Sequence, residues 1–594
     1  MNSLILRSRL TLSTFTLLCS FSLLLSGCTT LSMQQSQPLL SENRVKECSL
    51  PRKSYSWAGT KAPKLVFMSV DSLNNEVLHK YIPLLRKPHR FGLKRILTHS
   101  NANPNLRIKG PTITASSHSS TITCAPPQQH GIFANSQWNG KKFVNGFDES
   151  TQIETFATTL ANHGLKVVTA GYPTLDHSEP GRQVTEGFSY GLVIGQSSVL
   201  DLTTQQAVEH SWKNDRGETL ATVILNKEHD KQIQLKCMTK GCSVVPQNGN
   251  KLNEIRITRP DLNAVGYVLR INENSQKYYV SPLGTNRAFP ASTKATLDSC
   301  GIVFSPGKDN SLAKFGISPF ISGLNHRLEF FQSSWKYYIP HTHADAVFLY
   351  LEDLDALRHQ YAGDKSAEDK IIEHMERVDQ LLGDFIQSLP SQTNIVVMGD
   401  HGMSTVRQEL NIRKILPKNA LTHGLIMTSG GTLFLYGKES QKSEKIISTP
   451  SDQDLKWLTE TQFALLNFRM NSTGKKIFRK VFIKDSDEMR KEGLNHPKAP
   501  YLIAFAEENI AIKDSVEDKL ILSDLSNIQL PPPSPRGQHG HNSDNDSMRT
   551  FLTMWGPDLD RAPAQQIIFN TEIVPLVART LNWPIPSQCK DGLK

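Results

Sequence analysis

The chain has 594 residues, of which 38% are hydrophobic and 21% are charged, with a formal net charge of +10. The length excludes a single small domain, and the balance of apolar and charged residues is that of a globular protein with a large core. Lysine and arginine are scattered along the chain rather than clustered, so no nucleic-acid partner is expected.

The N-terminus carries a targeting signal. Two arginines precede an apolar run over 10–25, which is too short and too often interrupted by Ser and Thr to span a membrane as a mature helix. The run ends in Leu-Ser-Gly-Cys28, which resembles the bacterial lipobox, whose cysteine is lipidated and becomes the first residue after cleavage. We therefore predict a signal peptide over 1–27 and attachment to a membrane of the bacterial cell envelope through acyl chains on Cys28. Thr29, in place of an aspartate, favours the outer membrane over the inner one, and a plain secretory signal is the alternative.

Six further cysteines suggest disulfide bonds, because an exported chain folds in an oxidising environment. They are Cys48, Cys124, Cys237, Cys242, Cys300 and Cys589. Cys237 and Cys242 are close enough in sequence to close a small loop, and they are the one pair we predict. The rest of the connectivity stays open. A zinc–cysteine site is the alternative, although no CxxC pair supports it.

Residues 28–60 are rich in Ser and Gln and lack periodicity, so we interpret them as a tether. After residue 61, apolar runs of strand length alternate with helical patterns, which is typical of an α/β fold. Strands are predicted at Lys64–Val70, Leu165–Ala170, Ala344–Leu351, Asn394–Met398 and Thr550–Met554, and the clearest amphipathic helix at 367–389. Strand, helix and strand in this order form a right-handed crossover unit. We therefore predict a largely parallel central sheet flanked by helices.

The pattern changes between about residues 196 and 330. Short alternating segments such as 232–237 and 254–258 are separated by Gly, Asn and Pro, which is typical of antiparallel strands. We interpret 196–330 as an inserted β-rich cap and assign 61–195 together with 331–594 to the α/β domain. A long loop excursion is the alternative, and typical loop lengths disfavour it.

Three predicted strands end in residues that can bind metal ions. They are Asp71, Asp355 with His359, and Asp400 with His401. Asp355 and His359 are one helical turn apart, so both side chains can point the same way. The carboxyl ends of parallel strands meet at one edge of a sheet, and zinc accepts carboxylate oxygen and imidazole nitrogen. Each pattern is weak alone, but together they predict a metal centre at that edge.

Two segments between Asp71 and Asp355, and one segment near the C-terminus, complete the candidate site. Pro111-Thr-Ile-Thr114 places a hydroxyl in a run of small residues, and His130-Gly-Ile-Phe-Ala-Asn135 places an amide shortly downstream. Gly537-Gln-His539-Gly-His541 adds two histidines. We interpret the whole set as a two-zinc phosphoryl-transfer site with a threonine nucleophile, Thr114.

The order of these motifs resembles the alkaline phosphatase superfamily, and most closely its nucleotide pyrophosphatase/phosphodiesterase branch. The motifs lie within residues 64–557. The resemblance implies an alkaline phosphatase-like fold and two Zn²⁺ ions, one held by Asp71, Thr114, Asp400 and His401, the other by Asp355, His359 and His539. It also implies a small-molecule phosphoester substrate and attack by Thr114 through a phospho-threonine intermediate. Asn135 and the Thr114 N–H would donate hydrogen bonds to a nonbridging oxygen.

The chain departs from that family in two places. Ala115-Ser-Ser117 follow the nucleophile, where many diesterases of the branch have an aromatic residue on which a nucleotide base stacks, and this argues against a nucleotide substrate. The run 170–175 lacks the Lys-x-Arg pair of a related monoesterase subgroup, so no such cations balance a second phosphate charge. We therefore predict a zinc-dependent phosphodiesterase or pyrophosphatase. Phosphomonoester or phosphonate hydrolysis on the same site is the alternative.

Two other classes are weaker. A sulfatase would need Cys-x-Pro-x-Arg at the nucleophile, and Cys124-Ala-Pro-Pro-Gln128 lacks the arginine. A lipid-anchored binding protein on an inactive phosphatase fold would require a missing ligand, and none is missing from the motifs. The sequence leaves the leaving group and the oligomeric state open.

Four neighbours of the motifs carry expectations of their own. His541 is the alternative metal ligand to His539, and otherwise a solvated loop residue. Glu352 and Asp353 are expected to be solvated at the end of their strand, and His118 is expected to pack beneath the site.

Overall fold

The structure is a computed structural model. It describes residues 57–590 except 58, 177–179, 206, 215, 227–232, 238–242, 247–253, 260–263, 272–275, 286, 300–312, 314–315, 363, 439–448, 471–473 and 525–536. The predicted signal peptide, Cys28 and Cys242 lie outside the described residues. Among the helices that are described, none is long and apolar enough to cross a membrane.

An eight-stranded sheet forms the centre of the molecule. Its strands are β1 (Leu65–Val70), β2 (Ala102–Leu106), β3 (Val167–Ala170), β4 (Glu186–Phe188), β5 (Ala288–Phe289), β6 (Ala346–Leu351), β7 (Asn394–Met398) and β8 (Thr550–Trp555). Their spatial order is β5-β4-β3-β6-β1-β7-β8-β2. The five inner strands, in the order β4-β3-β6-β1-β7, are parallel to one another. The outer strands β5, β8 and β2 pair in the antiparallel sense. The predicted α/β fold with a largely parallel sheet is confirmed.

The sheet is buried on both faces, which is why its inner strands are continuous apolar runs. Alternate residues of β1 belong to two different buried clusters, with Val66 and Met68 on one face and Leu65 and Phe67 on the other.

The helices are α1 (Leu93–Leu97), α2 (Thr114–Thr123), α3 (Pro127–His130), α4 (Phe156–Asn162), α5 (Ala291–Ser299), α6 (Ile317–Ser333), α7 (Asp353–Tyr361), α8 (Glu368–Ser388), α9 (Lys418–His423), α10 (Asp452–Asn467), α11 (Asp487–Lys491) and α12 (Ile573–Thr580). Helices α6 and α8 cover the first face, and α4 and α12 cover the second.

The described strands between residues 192 and 285 form two antiparallel sheets, as the alternating pattern predicts. Three strands, Ala207–Lys213, Thr219–Asn226 and Ile233–Cys237, form one sheet. Seven strands form the other: Leu192–Ile194, Ser198–Asp201, Ser243–Pro246, Glu254–Arg259, Ala264–Arg270, Lys277–Val280 and Leu283–Thr285. The chain rejoins the central sheet at β5, well before residue 330. The boundaries of the inserted cap stay a prediction.

A second β-rich region, between β7 and β8 in sequence, was not predicted. Its four-stranded antiparallel sheet contains Gly424–Ser429, Thr432–Gly437, Phe478–Ile483 and Leu502–Ala506, and a three-stranded sheet contains Gln408–Asn411, Ile510–Lys513 and Ile521–Asp524. Two short antiparallel pairs join Ser136–Trp138 to Phe143–Asn145 and Ser404–Thr405 to Gly537–Gln538. The last pair brings the late histidine segment back to the residues that follow His401.

A disulfide bond joins Cys124, at the end of α2, to Cys589 in the turn Ser587–Lys590. The two cysteines are 465 positions apart in sequence, and their Cα atoms are 5.6 Å apart. The general prediction of disulfides is therefore supported by a pair that the sequence could not select, because only the fold brings its members together.

Candidate active site

The carboxyl ends of β1, β6 and β7 are level with one another. Val70 is paired with Leu351 of β6, and Ser69 is paired with Met398 of β7. The residues that follow these strands therefore emerge at one edge of the sheet, where ligand sites of open α/β sheets are found. This register decides which side chains meet.

Asp71, Asp400 and His401 form the first group of metal-type ligands, which we call the strand-end cluster. Their ligand atoms lie within 4.8 Å of one another, and all three side chains are buried. His401 Nε2 is 3.5 Å from Asp71 Oδ1 and 3.3 Å from Asp400 Oδ2. Asp400 Oδ2 is buried without a hydrogen-bond donor. A buried carboxylate oxygen of this kind is costly unless a cation lies beside it.

The turn that carries this cluster depends on two glycines. Gly399 and Gly402 do not have positive φ angles. Instead, an added Cβ would lie 2.1 Å from the Leu73 carbonyl oxygen at Gly399 and 2.0 Å from the Ser547 carbonyl oxygen at Gly402. Close approach of the backbone, rather than conformational freedom, therefore requires glycine here.

Asp355, His359 and His539 form the second group, the helix–loop cluster. Their ligand atoms also lie within 4.8 Å of one another. Asp355 and His359 are on α7, one turn apart, with His359 Nε2 3.2 Å from Asp355 Oδ1. His539 comes from the late loop, and its Nε2 is 3.9 Å from the same oxygen. Asp355 and His539 are buried, whereas His359 is partly exposed.

All three histidines are oriented in the same way. Nδ1 of His401 is 3.1 Å from the Gly402 carbonyl oxygen, Nδ1 of His359 is 2.8 Å from that of Gly537, and Nδ1 of His539 is 2.9 Å from that of Thr112. A carbonyl oxygen only accepts, so Nδ1 carries a proton and donates it, and Nε2 is the ring nitrogen that faces the carboxylates. Backbone contacts of this kind commonly fix metal-binding imidazoles.

Burial is the main reason that the pKa of His539 lies well below its usual value, and neighbouring His401 lowers it further, against the opposing effect of Asp355. The ring is therefore neutral at pH 7, as a metal ligand must be. The buried carboxylates, the three imidazoles whose Nε2 atoms face them and the Asp400 oxygen that lacks a hydrogen-bond donor together fit two divalent cations.

Ser72 links the two clusters. Its hydroxyl donates to Asp355 Oδ1 at 3.0 Å and lies 3.4 Å from His401 Nδ1, while its N–H donates to Asp400 Oδ1 at 3.1 Å. The rings of His401 and His539 are stacked with centroids 3.8 Å apart. Ser72 has a φ of 60°, an uncommon backbone conformation for a serine. The two groups of ligands therefore form one centre.

Thr114 is the first residue of α2 and is buried beside the strand-end cluster. Its Oγ1 is 3.2 Å from His401 Nε2. The backbone N–H groups in the first turn of a helix have no partner within the helix and favour anions. Asn135 accepts a hydrogen bond from the Ala115 N–H at 2.8 Å through Oδ1, so its amide nitrogen is the end left to donate elsewhere. The hydroxyl, the helix start and the amide are thus adjacent.

His118 packs beneath this group, as expected. Its Nδ1 is 2.8 Å from the Thr114 carbonyl oxygen, and its Nε2 is 2.9 Å from Ser69 Oγ. Sequence reasoning missed Tyr350, whose hydroxyl donates to Asp71 Oδ2. Burial and the neighbouring Asp71 raise the pKa of Tyr350 well above its usual value, so the hydroxyl stays protonated. Position within a buried strand is the only sequence signal that Tyr350 carries.

Three residues lie in environments that differ from the predicted ones. His541 is buried outside both clusters, with Nε2 2.9 Å from the Ile510 carbonyl oxygen, so it is neither solvated nor a member of the ligand groups. Glu352 and Asp353 are buried rather than solvated. Glu352 forms an ion pair with Arg327 of α6, and Asp353 Oδ1 is 3.1 Å from His374 Nε2 of α8. These helical partners remove the need for water at the strand end.

Comparison with known proteins agrees with this geometry. Residues 65–542 match the family described as Type I phosphodiesterase / nucleotide pyrophosphatase. This match supports a phosphoester hydrolase with a metal-dependent site. A search among curated proteins gives no match.

Several solved structures are similar in fold. Murine ectonucleotide pyrophosphatase / phosphodiesterase 5 is 14% identical, with 88% of this chain and 96% of that chain covered and a TM-score of 0.48, and an inactive variant of that protein was solved in complex with AMP. The human protein is also 14% identical, with 88% and 95% covered and a TM-score of 0.45. Phosphonoacetate hydrolase from Sinorhizobium meliloti 1021, in complex with phosphonoformate, is 14% identical, with 90% and 98% covered and a TM-score of 0.46.

Proposed function

Because the chain belongs to the Type I phosphodiesterase / nucleotide pyrophosphatase family, we propose that it is a zinc-dependent phosphodiesterase that acts through a phospho-threonine intermediate. One observation carries this proposal. The hydroxyl of Thr114, at the start of a buried helix, is 3.2 Å from His401 Nε2 in the strand-end cluster, and Ser72 joins that cluster to the second group of ligands.

Each cluster would hold one Zn²⁺ ion. Asp71, Asp400, His401 and Thr114 are the ligands of the first ion, and Asp355, His359 and His539 are those of the second. When bound, two such ions lower the pKa of a hydroxyl and offset the charge of phosphoryl oxygens. The imidazole and carboxylate donor set suits zinc better than magnesium or calcium, which prefer oxygen ligands alone.

Thr114 acts as the nucleophile. Its Oγ1 forms a bond to phosphorus while the bond from phosphorus to the leaving ester oxygen breaks, and the Thr114 proton leaves with that oxygen or passes to solvent. Water then attacks phosphorus and the bond from phosphorus to Oγ1 breaks. The water oxygen stays on the released phosphate product, and a proton from the water restores the Thr114 hydroxyl. The Thr114 N–H and the Asn135 amide nitrogen donate to a nonbridging oxygen, whose charge grows in the transition state.

The charges near the site favour a diester. Residues 170–175 supply no cation, and Tyr172 and Leu175 of that run are buried. The nearby Arg327 forms an ion pair with Glu352, so its charge is balanced within the protein. A diester carries one negative charge near pH 7, whereas a monoester carries close to two. The diester is therefore the better match.

Relative turnover of two esters tests this function. We expect kcat/KM to be higher for bis-p-nitrophenyl phosphate than for p-nitrophenyl phosphate, and EDTA to remove both the zinc and the activity. A preference for the monoester above about tenfold, roughly 1.4 kcal/mol in transition-state binding, would overturn the diesterase proposal. Full zinc occupancy with no ester turnover would favour a binding protein instead.

The cellular location of the protein is a separate proposal. Lipidation of Cys28 would hold the enzyme at a membrane of the bacterial envelope, with the outer membrane favoured by Thr29. Cys28→Ser should move the protein from the membrane fraction to the soluble fraction, whereas Cys19→Ser, within the predicted signal peptide, should not. Density-gradient separation of the two membranes then tests the outer-membrane assignment. Recovery of Cys28→Ser in the membrane fraction would contradict the anchor.

A further inference from the structure

The wall of the site beside the nucleophile is aromatic, although the residue after Thr114 is an alanine. Ala115, Ile132 and Phe147 form one buried cluster, and Tyr190 packs against it. Phe147 and Tyr190 are stacked, with ring centroids 4.8 Å apart and an angle of 26° between the planes. The two rings therefore lie against the first turn of α2.

Hydrogen bonds fix the backbone around Phe147. The Phe147 N–H donates to Asn145 Oδ1 at 3.1 Å. The buried guanidinium of Arg182 donates to the carbonyl oxygen of Phe147 and, at 2.9 Å, to that of Glu149. The neighbouring Gly146 N–H donates to the Asn135 carbonyl oxygen at 2.9 Å, which ties this segment to the amide of the site. These contacts fix the backbone from which the Phe147 ring projects.

Tyr190 is fixed from two further directions. Its ring meets that of Tyr350 edge-to-face with centroids 5.5 Å apart, and Tyr350 in turn donates to Asp71. Its hydroxyl donates to Glu352 Oε2 at 2.9 Å, and Glu352 is paired with Arg327. The ring is thus locked in place at the edge of the metal-type ligands.

We propose that Phe147 and Tyr190 are specificity-determining residues: their stacked rings fill the space beside the nucleophile and select diesters whose retained group is compact and not aromatic. A third ring between them would need centroids roughly 7 Å apart, twice the contact distance of carbon atoms, which the 4.8 Å separation does not provide. Phe147 is only 9% exposed, so its other face is covered. Ala115 offers no ring in compensation. This proposal rests on the proposed diesterase function.

Two diesters with the same leaving group test the selection. Methyl p-nitrophenyl phosphate and the p-nitrophenyl ester of thymidine 5′-phosphate differ only in the group that stays on phosphorus. We expect the wild-type enzyme to favour the methyl ester in kcat/KM by about tenfold or more, and Phe147→Ala to reduce that ratio by about tenfold. Phe147→Leu, which keeps apolar volume without a flat ring, should give a smaller reduction.

Phe143→Ala is the matched control. Phe143 is an exposed residue of the adjacent strand pair, and its ring contacts Trp138 and Tyr436. Its replacement should leave the ratio unchanged. A wild-type preference for the thymidine ester, an unchanged ratio in both Phe147 variants, or an equal change in Phe143→Ala would each overturn the proposal.

Binding of thymidine 5′-monophosphate, measured by calorimetry, separates this proposal from the diesterase function. If neither diester is hydrolysed by the wild-type protein, the diesterase function fails, and the binding measurement alone decides the role of Phe147. Binding that is about tenfold tighter in Phe147→Ala than in wild type would support it. Equal binding in the two proteins would overturn it.

Discussion

The two ligand clusters are built in different ways. The members of the strand-end cluster directly follow adjacent strands of one sheet, and all three are buried. The helix–loop cluster takes two ligands from one turn of α7 and the third from a loop that follows the second β-rich region, and His359 is partly exposed. The first cluster is therefore set by the register of the sheet, whereas the second depends on how a distant region packs.

The packing of that region against the late loop is close. The Gly431 N–H donates to the His539 carbonyl oxygen at 3.0 Å, and the Thr432 hydroxyl donates to the Gly540 carbonyl oxygen. Gly430 has a φ of +55°, and a Cβ at this position would lie 1.9 Å from the His539 carbonyl oxygen. His539 is consequently placed by contacts with glycines more than 100 residues earlier. This dependence suggests experiments that affect one cluster and spare the other.

Replacement of the nucleophile should have the largest effect on activity and should leave both ligand clusters intact. Thr114→Ala is expected to lower kcat by roughly 10³-fold or more, while folding and zinc content change little, because the other ligands are unchanged. Diester turnover and metal analysis of the purified variant check this. Thr123→Ala, at the other end of α2, is the control and should keep its activity. Substantial turnover by Thr114→Ala would place the nucleophile elsewhere.

Gly430→Ala should damage only the helix–loop cluster. The added methyl group collides with the His539 backbone, and a displacement of about 1 Å at a ligand can lower kcat/KM by roughly 10²-fold. Gly474→Ala is the matched control, because Gly474 also has a positive φ, +64°, but no atom within 4 Å of an added Cβ. Equal losses of activity in the two variants would show that backbone strain, rather than the position of His539, is responsible.

Removal of metal ions should distinguish the two clusters, because their ligands differ in exposure to solvent. During dialysis against EDTA, we expect the zinc content to pause near one ion per chain, because the partly exposed His359 gives a chelator access to the helix–loop cluster first. His359→Ala should begin close to that plateau, whereas His401→Ala should lose the slowly released ion. Simultaneous release of both ions would contradict the difference between the clusters.

A smaller expected effect concerns stability rather than activity, and it involves His130, a buried histidine beside α2. Burial lowers the pKa of His130 to about 3, and nearby His496 adds to the lowering. Unfolded His130 titrates near 6.5, so the stabilisation from a neutral ring is complete above that pH and declines as the pH falls from about 6.5 towards 3. The loss of unfolding free energy from this group at pH 5 is about 2 kcal/mol.

Urea unfolding at pH 7 and pH 5 measures this contribution. His130→Gln should lose about 2 kcal/mol less than the wild-type protein between the two pH values. His163→Gln, which makes the same replacement at an exposed position at the end of α4, is the matched control. The same dependence in wild type and His130→Gln would mean that His130 is protonated in the folded state or neutral in both states.

Much of the sheet was predicted from the sequence, and so were the residues that make up the two candidate metal clusters. β1, β6 and β7 were predicted because strands buried on both faces are unbroken apolar runs, and acidic or imidazole residues directly after them stand out. The second β-rich region was missed because its strands are less regular in pattern and lie between motifs. The Cys124–Cys589 bond was missed because sequence separation says nothing about which distant cysteines meet.

The amino-acid sequence by itself determined the central parallel sheet and the metal-type residues at its edge, since strands buried on both faces must be apolar and the polar residues that follow them stand out. Only the tertiary structure decided that His541 is buried beside the Ile510 carbonyl oxygen and that Glu352 is paired with Arg327 rather than solvated. It also decided that Phe147 and Tyr190 stack beside Thr114. The physical reason is that these choices depend on contacts between segments far apart in the chain, and residue identity alone does not encode which of them meet.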